Sequence, residues 1–236
     1  MRNALAIAGR ELQAYFVSPI AYVVTAAFLL VSGYLFAAIL LLSQEATLRY
    51  LFGNLTTILL FVAPLLTMRL LAEEQRSGTL ELLLTSPVQD WEVVLGKWLA
   101  SLGLFAGIML LTGYYPLLLW RYGNPDWGPV LTGYGGVLLL GGALLSLGTL
   151  TSALTSNQIV AAVLGVGLSI LAWLIDALSQ FTGSPISGVF DYLSLSTHFY
   201  DFLRGIVDTK DIVYYVSVIV VALFLATRVL ETRRWR

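Results

Sequence analysis

Residues 19–42 read PIAYVVTAAFLLVSGYLFAAILLL, a run without one charged side chain. As an α-helix rising ~1.5 Å per residue it extends roughly 36 Å, enough to cross ~30 Å of hydrocarbon. Ser18-Pro19 marks its start, because serine is a preferred N-cap and proline is pre-set for the first helical position.

The same reading recurs along the chain, at 50–71, 98–120, 130–151, 158–178 and 212–227, which predicts six crossings in all. The second carries Asn54, Thr56, Thr57, Pro64 and Thr67 and is expected to face protein or a pathway. Of the 236 residues 58% are hydrophobic and 11% charged, and mean hydropathy is +0.84, which excludes a water-soluble domain. The fold class expected is an all-α integral membrane protein with six transmembrane helices.

Thirteen Lys and Arg against fourteen Asp and Glu leave neither the positive field of a nucleic-acid binder nor a polybasic tract. Without cysteine there is no disulfide and no thiol chemistry. His198 is the only histidine, so no His cluster or triad forms within the chain, and it is expected to be an interfacial packing residue.

Arg10 and Glu11 interrupt the first apolar residues, against a cleavable signal. Residues 1–17 read instead as an interfacial helix whose apolar face holds Leu5, Ala8, Leu12, Tyr15 and Phe16, with Ile7 on the polar side beside Arg10 and Gln13.

Six crossings bring both termini to one side. Arg2, Arg10, Arg69, Arg76, Lys97, Arg228, Arg233, Arg234 and Arg236 fall there, against Arg49, Arg121, Arg204 and Lys210 opposite. This bias places both termini in the cytoplasm. Residues 179–211 then lie outside; they alternate the turn signals Gly183-Ser184-Pro185 and Gly188 with bulky apolar residues and read as a re-entrant or interfacial segment.

On the terminal side lies the charged segment 72–94. Gly78 breaks the preceding helix, Thr79 caps a short new one with Glu81 in its first turn, and Ser86-Pro87 with Gln89 forms a capping box leading into the third span. Leu80, Leu83 and Leu84 make an apolar side fit for a groove on a soluble partner, and equally fit for a membrane surface.

The order Glu73-Glu74-x-x-Ser77-Gly78-Thr79-x-Glu81-x-Leu83-Leu84-x-x-Pro87-Val88, with Val94-Leu95-Gly96-Lys97 opening a span, resembles the coupling segment of ABC type-2 permeases, nearest the gliding-motility type. Residues 15–24, 155–161 and 198–208 carry the resemblance further, in the expected order. It implies one domain over residues 1–236: a connecting helix at 1–17, a coupling segment at 72–94 and an extracytoplasmic segment at 179–211. It also implies a second permease half, homodimeric or related, and an ABC ATPase subunit that binds ATP and Mg, this chain holding no cofactor or metal and having no catalytic role. Glu73, Glu74, Arg76, Ser77, Gly78, Thr79, Glu81, Leu83, Leu84 and Pro87 are the expected coupling contacts. The implied setting is a multi-pass protein of the plasma (inner) membrane, surrounded by lipid and exporting a substrate. The stretch 42–49 is shorter than the gliding-type pattern, which weakens inference about an extracytoplasmic partner there.

Gly96-Lys97 is preceded five residues earlier by Trp91, not glycine, and followed by Trp98, so the chain has no P-loop of its own. Two rival functions remain: mechanotransmission to an extracytoplasmic partner without solute passage, and ion-coupled secondary transport. The latter ranks last for want of midplane ionisable groups and an internal repeat. Gly133, Gly135, Gly136, Gly141, Gly142 and Gly148 are expected to pack the fourth span tightly, with a dimer seam as the alternative. Asp176 reads as a solvated or hydrogen-bonded carboxylate, and Pro64 and Pro116 as kinks.

Overall fold

A computed structural model describes residues 2–79, 88–177 and 186–234. In chain order the helices are α1 (Arg2–Val17), α2 (Pro19–Ser43), α3 (Arg49–Thr67), α4 (Ala72–Ser77), α5 (Asp90–Thr112), α6 (Tyr114–Tyr122), α7 (Trp127–Leu154), α8 (Gln158–Leu174), α9 (Ile186–Leu193), α10 (Leu195–Leu203) and α11 (Thr209–Arg234). Among the described residues there is no strand, as a lipid-exposed backbone requires of a helical bundle.

Six stretches are long and apolar enough to cross a membrane: Pro19–Ser43, Arg49–Ser77, Asp90–Tyr122, Trp127–Leu154, Gln158–Ala177 and Thr209–Thr232. The third begins earlier than the apolar run suggested, because the helix extends N-terminally of that run through Lys97 to a capping box of Gln89 and Glu92. The helix start thus falls at Gln89 rather than at Ser86-Pro87, which lies outside the described residues. The bundle has two layers. The second, third and fourth crossings are mostly buried, whereas the first, fifth and sixth turn most of their surface outward. Of the polar residues of the second crossing, Thr56 and Thr67 are fully buried against protein, whereas Asn54 and Thr57 are exposed.

Glycines on α7 make the inner layer possible. A Cβ at Gly133 would overlap the Phe52 ring of α3, one at Gly141 the Phe105 ring of α5, and one at Gly148 the Thr67 hydroxyl. At Gly136 it would stand 2.7 Å from Phe202 of α10. Each missing side chain is therefore the socket for a ring or hydroxyl on a neighbouring helix, which gives the dispersion contacts that hold helices together in lipid. Gly135, by contrast, faces open space.

Gly113 divides the third crossing into α5 and α6, and Pro116 follows. A proline has no N–H for the carbonyl four residues back. That carbonyl, on Thr112, instead accepts a 2.8 Å hydrogen bond from the Tyr134 hydroxyl of α7. The kink is thus satisfied in trans, and Tyr134→Phe should lower stability by about 1 kcal/mol, the worth of an interhelical hydrogen bond in a bilayer. An unchanged unfolding midpoint in detergent would show that the carbonyl finds another donor.

At the end opposite the termini, α9 and α10 form two short helices, neither long enough to span. The α10 helix buries Leu195, Phe199 and Phe202, and its last carbonyl region is anchored by Thr132 Oγ1 donating to Phe202 O at 2.7 Å. Gly205 turns the chain at φ 86 against Pro129, a left-handed position suited to glycine. Segment 186–211 is therefore folded onto the bundle end; the Gly183-Ser184-Pro185 turn lies outside the described residues.

His198 packs against aromatic rings as expected, and it is in addition hydrogen-bonded on both ring nitrogens. It is buried, with Nδ1 2.7 Å from Asp211 Oδ1, Nε2 3.0 Å from the Tyr192 carbonyl, and its ring stacked on Tyr214. The reason is local: the tight join between α10 and α11 brings Asp211 to the Nδ1 edge of the ring. Asp176 accepts a 2.9 Å hydrogen bond from Ser196, as expected of a carboxylate at that depth.

Candidate functional site

The candidate site is the bundle end that carries both termini. Here α3 turns into the short α4, whose first N–H groups have no partner within the helix. Ser152, at the end of α7, supplies one: its Oγ accepts from the N–H groups of Leu71 and Ala72 at 3.0 and 3.1 Å and donates to Met68 O at 3.0 Å. One hydroxyl fills all its hydrogen-bonding capacity. Gln75 Nε2 adds a 2.9 Å bond to Ala153 O. The base of α4 is thereby fixed to α7.

The outer part of α4 is free. Glu73, Arg76, Ser77, Gly78 and Thr79 are exposed, and Gly78 ends the helix in the left-handed region at φ 72, which glycine adopts without strain. The hydroxyls of Ser77 and Thr79 share a 2.8 Å hydrogen bond across this turn. Glu81, Leu83, Leu84 and Pro87 lie outside the described residues. Of the expected contact residues, Glu74 stands apart from the exposed group because it points inward.

Glu74 Oε1 lies 2.7 Å from Lys97 Nζ, and Glu11 Oε1 lies 3.0 Å from the same nitrogen. The Lys97 side chain is 1% exposed and the two carboxylates 16% and 17%. Arg10 approaches Glu11 at 3.3 Å and Glu74 at 3.9 Å from the solvent side. Two cations thus meet two anions, the balance a buried cluster needs to offset the loss of hydration. Burial pushes the Glu11 carboxyl up, but the Lys97 charge and hydrogen bond, helped by Arg10, outweigh it and hold the group below its ordinary value.

The cluster joins α1, α4 and α5. Around it α1 is strapped to α5: Asn3 Nδ2 donates to Glu92 Oε2 at 2.9 Å, and Gly96 sits so close that a Cβ would be 2.7 Å from Ala4 O and 2.9 Å from Ile7. The inward side of α1 holds Ala4, Ile7, Ala8, Glu11, Leu12 and Tyr15; Ala8, Leu12 and Tyr15 belong to the face predicted, whereas Ile7 turns inward against expectation. Leu5 and Phe16 point outward, and Ile7 packs against the small core cluster to which Leu71, Val94 and Leu230 belong. At its far end the Tyr15 hydroxyl donates to Leu66 O at 2.6 Å, and the Arg69 guanidinium lies over the Tyr15 ring. Ser18 holds the N-cap position of α2 with proline following, but its hydroxyl makes no cap bond and instead accepts from Arg69 at 2.6 Å.

Sequence reasoning missed Lys97, Glu11 and Ser152. The signal for Lys97 was present: a lysine at the mouth of an apolar span must snorkel outward or find acids. Its acids, however, are 86 and 23 positions away.

Residues 41–230, from the end of α2 to near the end of α11, match the family model described as ABC-2 family transporter protein. The chain belongs to this family. No curated protein matches it. As an ABC-2 transporter membrane domain, the chain is the permease part of an ATP-binding-cassette transporter and a multi-pass membrane protein. The segment that carries α4 and the start of α5 lies inside the matched stretch, whereas α1, with Glu11, lies before it.

Proposed function

We propose that this permease subunit converts nucleotide-driven closure of a separate ABC ATPase into movement of its membrane helices, through segment 72–94 seated on that ATPase. The observation that carries the reading is the two-part build of α4: an exposed outer turn, Glu73, Arg76, Ser77, Gly78 and Thr79, on a base held to α7 by Ser152. A docking segment must be accessible at its tip and rigid at its root, since a loosely held helix would absorb the displacement. Glu74 serves the root and the other described residues serve the tip, continuing into Glu81, Leu83, Leu84 and Pro87.

In this reading ATP and Mg bind the partner, both termini are cytoplasmic in the plasma (inner) membrane, the chain is of the gliding-motility type that its motifs resemble, and a second permease half completes the transporter. The filled inner layer supports the last point. Rings and hydroxyls occupy the α7 glycine sockets, so a path for an exported substrate runs between halves and not through one chain. The same packing favours a second reading, in which the α9–α10 end moves an extracytoplasmic partner and no solute passes.

Co-purification with candidate ABC ATPases tests the coupling reading, comparing the unchanged chain with a Glu73→Arg, Leu83→Asp variant matched for stability. The expected result is that the unchanged chain retains an ATPase and stimulates its hydrolysis while the variant loses both. Equal retention by the two would move the contact elsewhere, and no retention by either would overturn the reading.

A further inference from the structure

We propose that Lys97 is the positioning residue that makes α1, α4 and the start of α5 one mechanical body, so that displacement of α4 reaches the N-terminal helix. The inference rests on the coupling reading of segment 72–94 and adds the route by which the motion leaves it.

Three observations converge on Lys97. Its ammonium is buried and bonded to one carboxylate from α4 and one from α1, so any movement of α4 away from α1 must separate a desolvated ion pair, and such pairs part reluctantly because water is not at hand to replace the lost partner. Its chain neighbour Gly96 presses the α1 backbone directly onto α5, which removes the slack that a side-chain layer would leave. The far end of α1 is bonded in turn to the end of α3 through Tyr15 and Arg69, closing a loop of contacts from α4 through α5 and α1 back to α3. Among the described residues, Arg10 faces the cluster on its solvent side, and Glu92, held by Asn3, lies farther toward the start of α5.

A helix held only by apolar contacts can slide with little penalty, since neighbouring apolar atoms are interchangeable partners. An ionic tie is specific to one register. The cluster therefore does for α1 what Ser152 does for α4: it sets a single position relative to the bundle.

The chain lacks cysteine, so spin labels can be placed at Gly9→Cys, which is exposed with open space around it, and at Asn124→Cys, exposed at the opposite end of the bundle. The labelled chain is assembled with a cysteine-free ATPase, and the label separation is measured without nucleotide and after trapping with ATP and vanadate. The comparison is a neutral triad, Glu11→Gln, Glu74→Gln and Lys97→Met, which keeps the shape of the native side chains, leaves no charge buried and leaves exposed Arg10 to the solvent. The expected result is a separation that shifts on trapping with the native triad and no longer shifts with the neutral one, although both retain the ATPase and unfold at similar temperatures. A shift that persists in the neutral triad, or no shift in the native complex, overturns the inference and leaves the coupling reading standing. Failure of the native chain to retain any ATPase overturns the coupling reading, and the inference with it.

Discussion

Replacing Lys97 alone by leucine should destabilise the protein by about 3–5 kcal/mol, the usual cost of removing one partner from a buried ion cluster. Glu11 and Glu74 would be left as two largely buried carboxylates facing one another with only the solvent-side Arg10 near them. The neutral triad should lie within about 1 kcal/mol of the parent, because the cluster's attraction and its desolvation nearly cancel. The measurement is unfolding in detergent, followed by loss of soluble monomer with temperature. A Lys97→Leu protein as stable as the parent would mean that water reaches the carboxylates and that the tie between α1 and α4 is weak.

The same cluster predicts an acid limit. Glu11 titrates below the ordinary glutamate value of 4.5 in the folded protein, so its stabilising contribution is complete above that pH. It is lost as pH falls through the depressed folded value, where the unfolded chain takes up the proton first. Solvent-exposed Arg10, by contrast, adds little, as surface pairs do.

Gly141→Leu should be the most damaging change in the inner layer. The added side chain would have to occupy the space of the Phe105 ring, and neither helix can retreat, because α7 is pinned at Gly133 and Gly148 on either side. About 3 kcal/mol is expected, the upper part of the range for overpacking. Gly135→Leu is the control. On the same helix it meets nothing within 4 Å and should change stability by no more than about 0.5 kcal/mol. Equal effects at the two positions would show that helix propensity, not packing, governs α7.

The sequence by itself determined what depends on length and local pattern. Six apolar runs of crossing length specify six membrane helices, because no other open-ended structure satisfies its backbone in lipid. Gly78 specifies the end of α4, and the turn signals after the fifth run specify a segment that is re-entrant or interfacial and does not cross. The glycines of the fourth run announced close packing, and the order of residues 73–88 announced the family.

Tertiary structure alone decided what depends on distinguishing one apolar surface from another. In water a hydrophobic face is a buried face, but beside lipid Leu5 and Phe16 are as well solvated outside the bundle as Ile7 is inside it, so periodicity placed Ala8, Leu12 and Tyr15 inward without fixing the edges of the buried face of α1. Gly141 and Gly135 are identical in sequence terms, and only the placement of Phe105 separates them. Ser152 and Lys97 gain their roles from partners on other helices, Lys97 from acids 86 and 23 positions away. Electrostatic and steric partners that distant are chosen by how helices assemble, and local pattern carries no record of them.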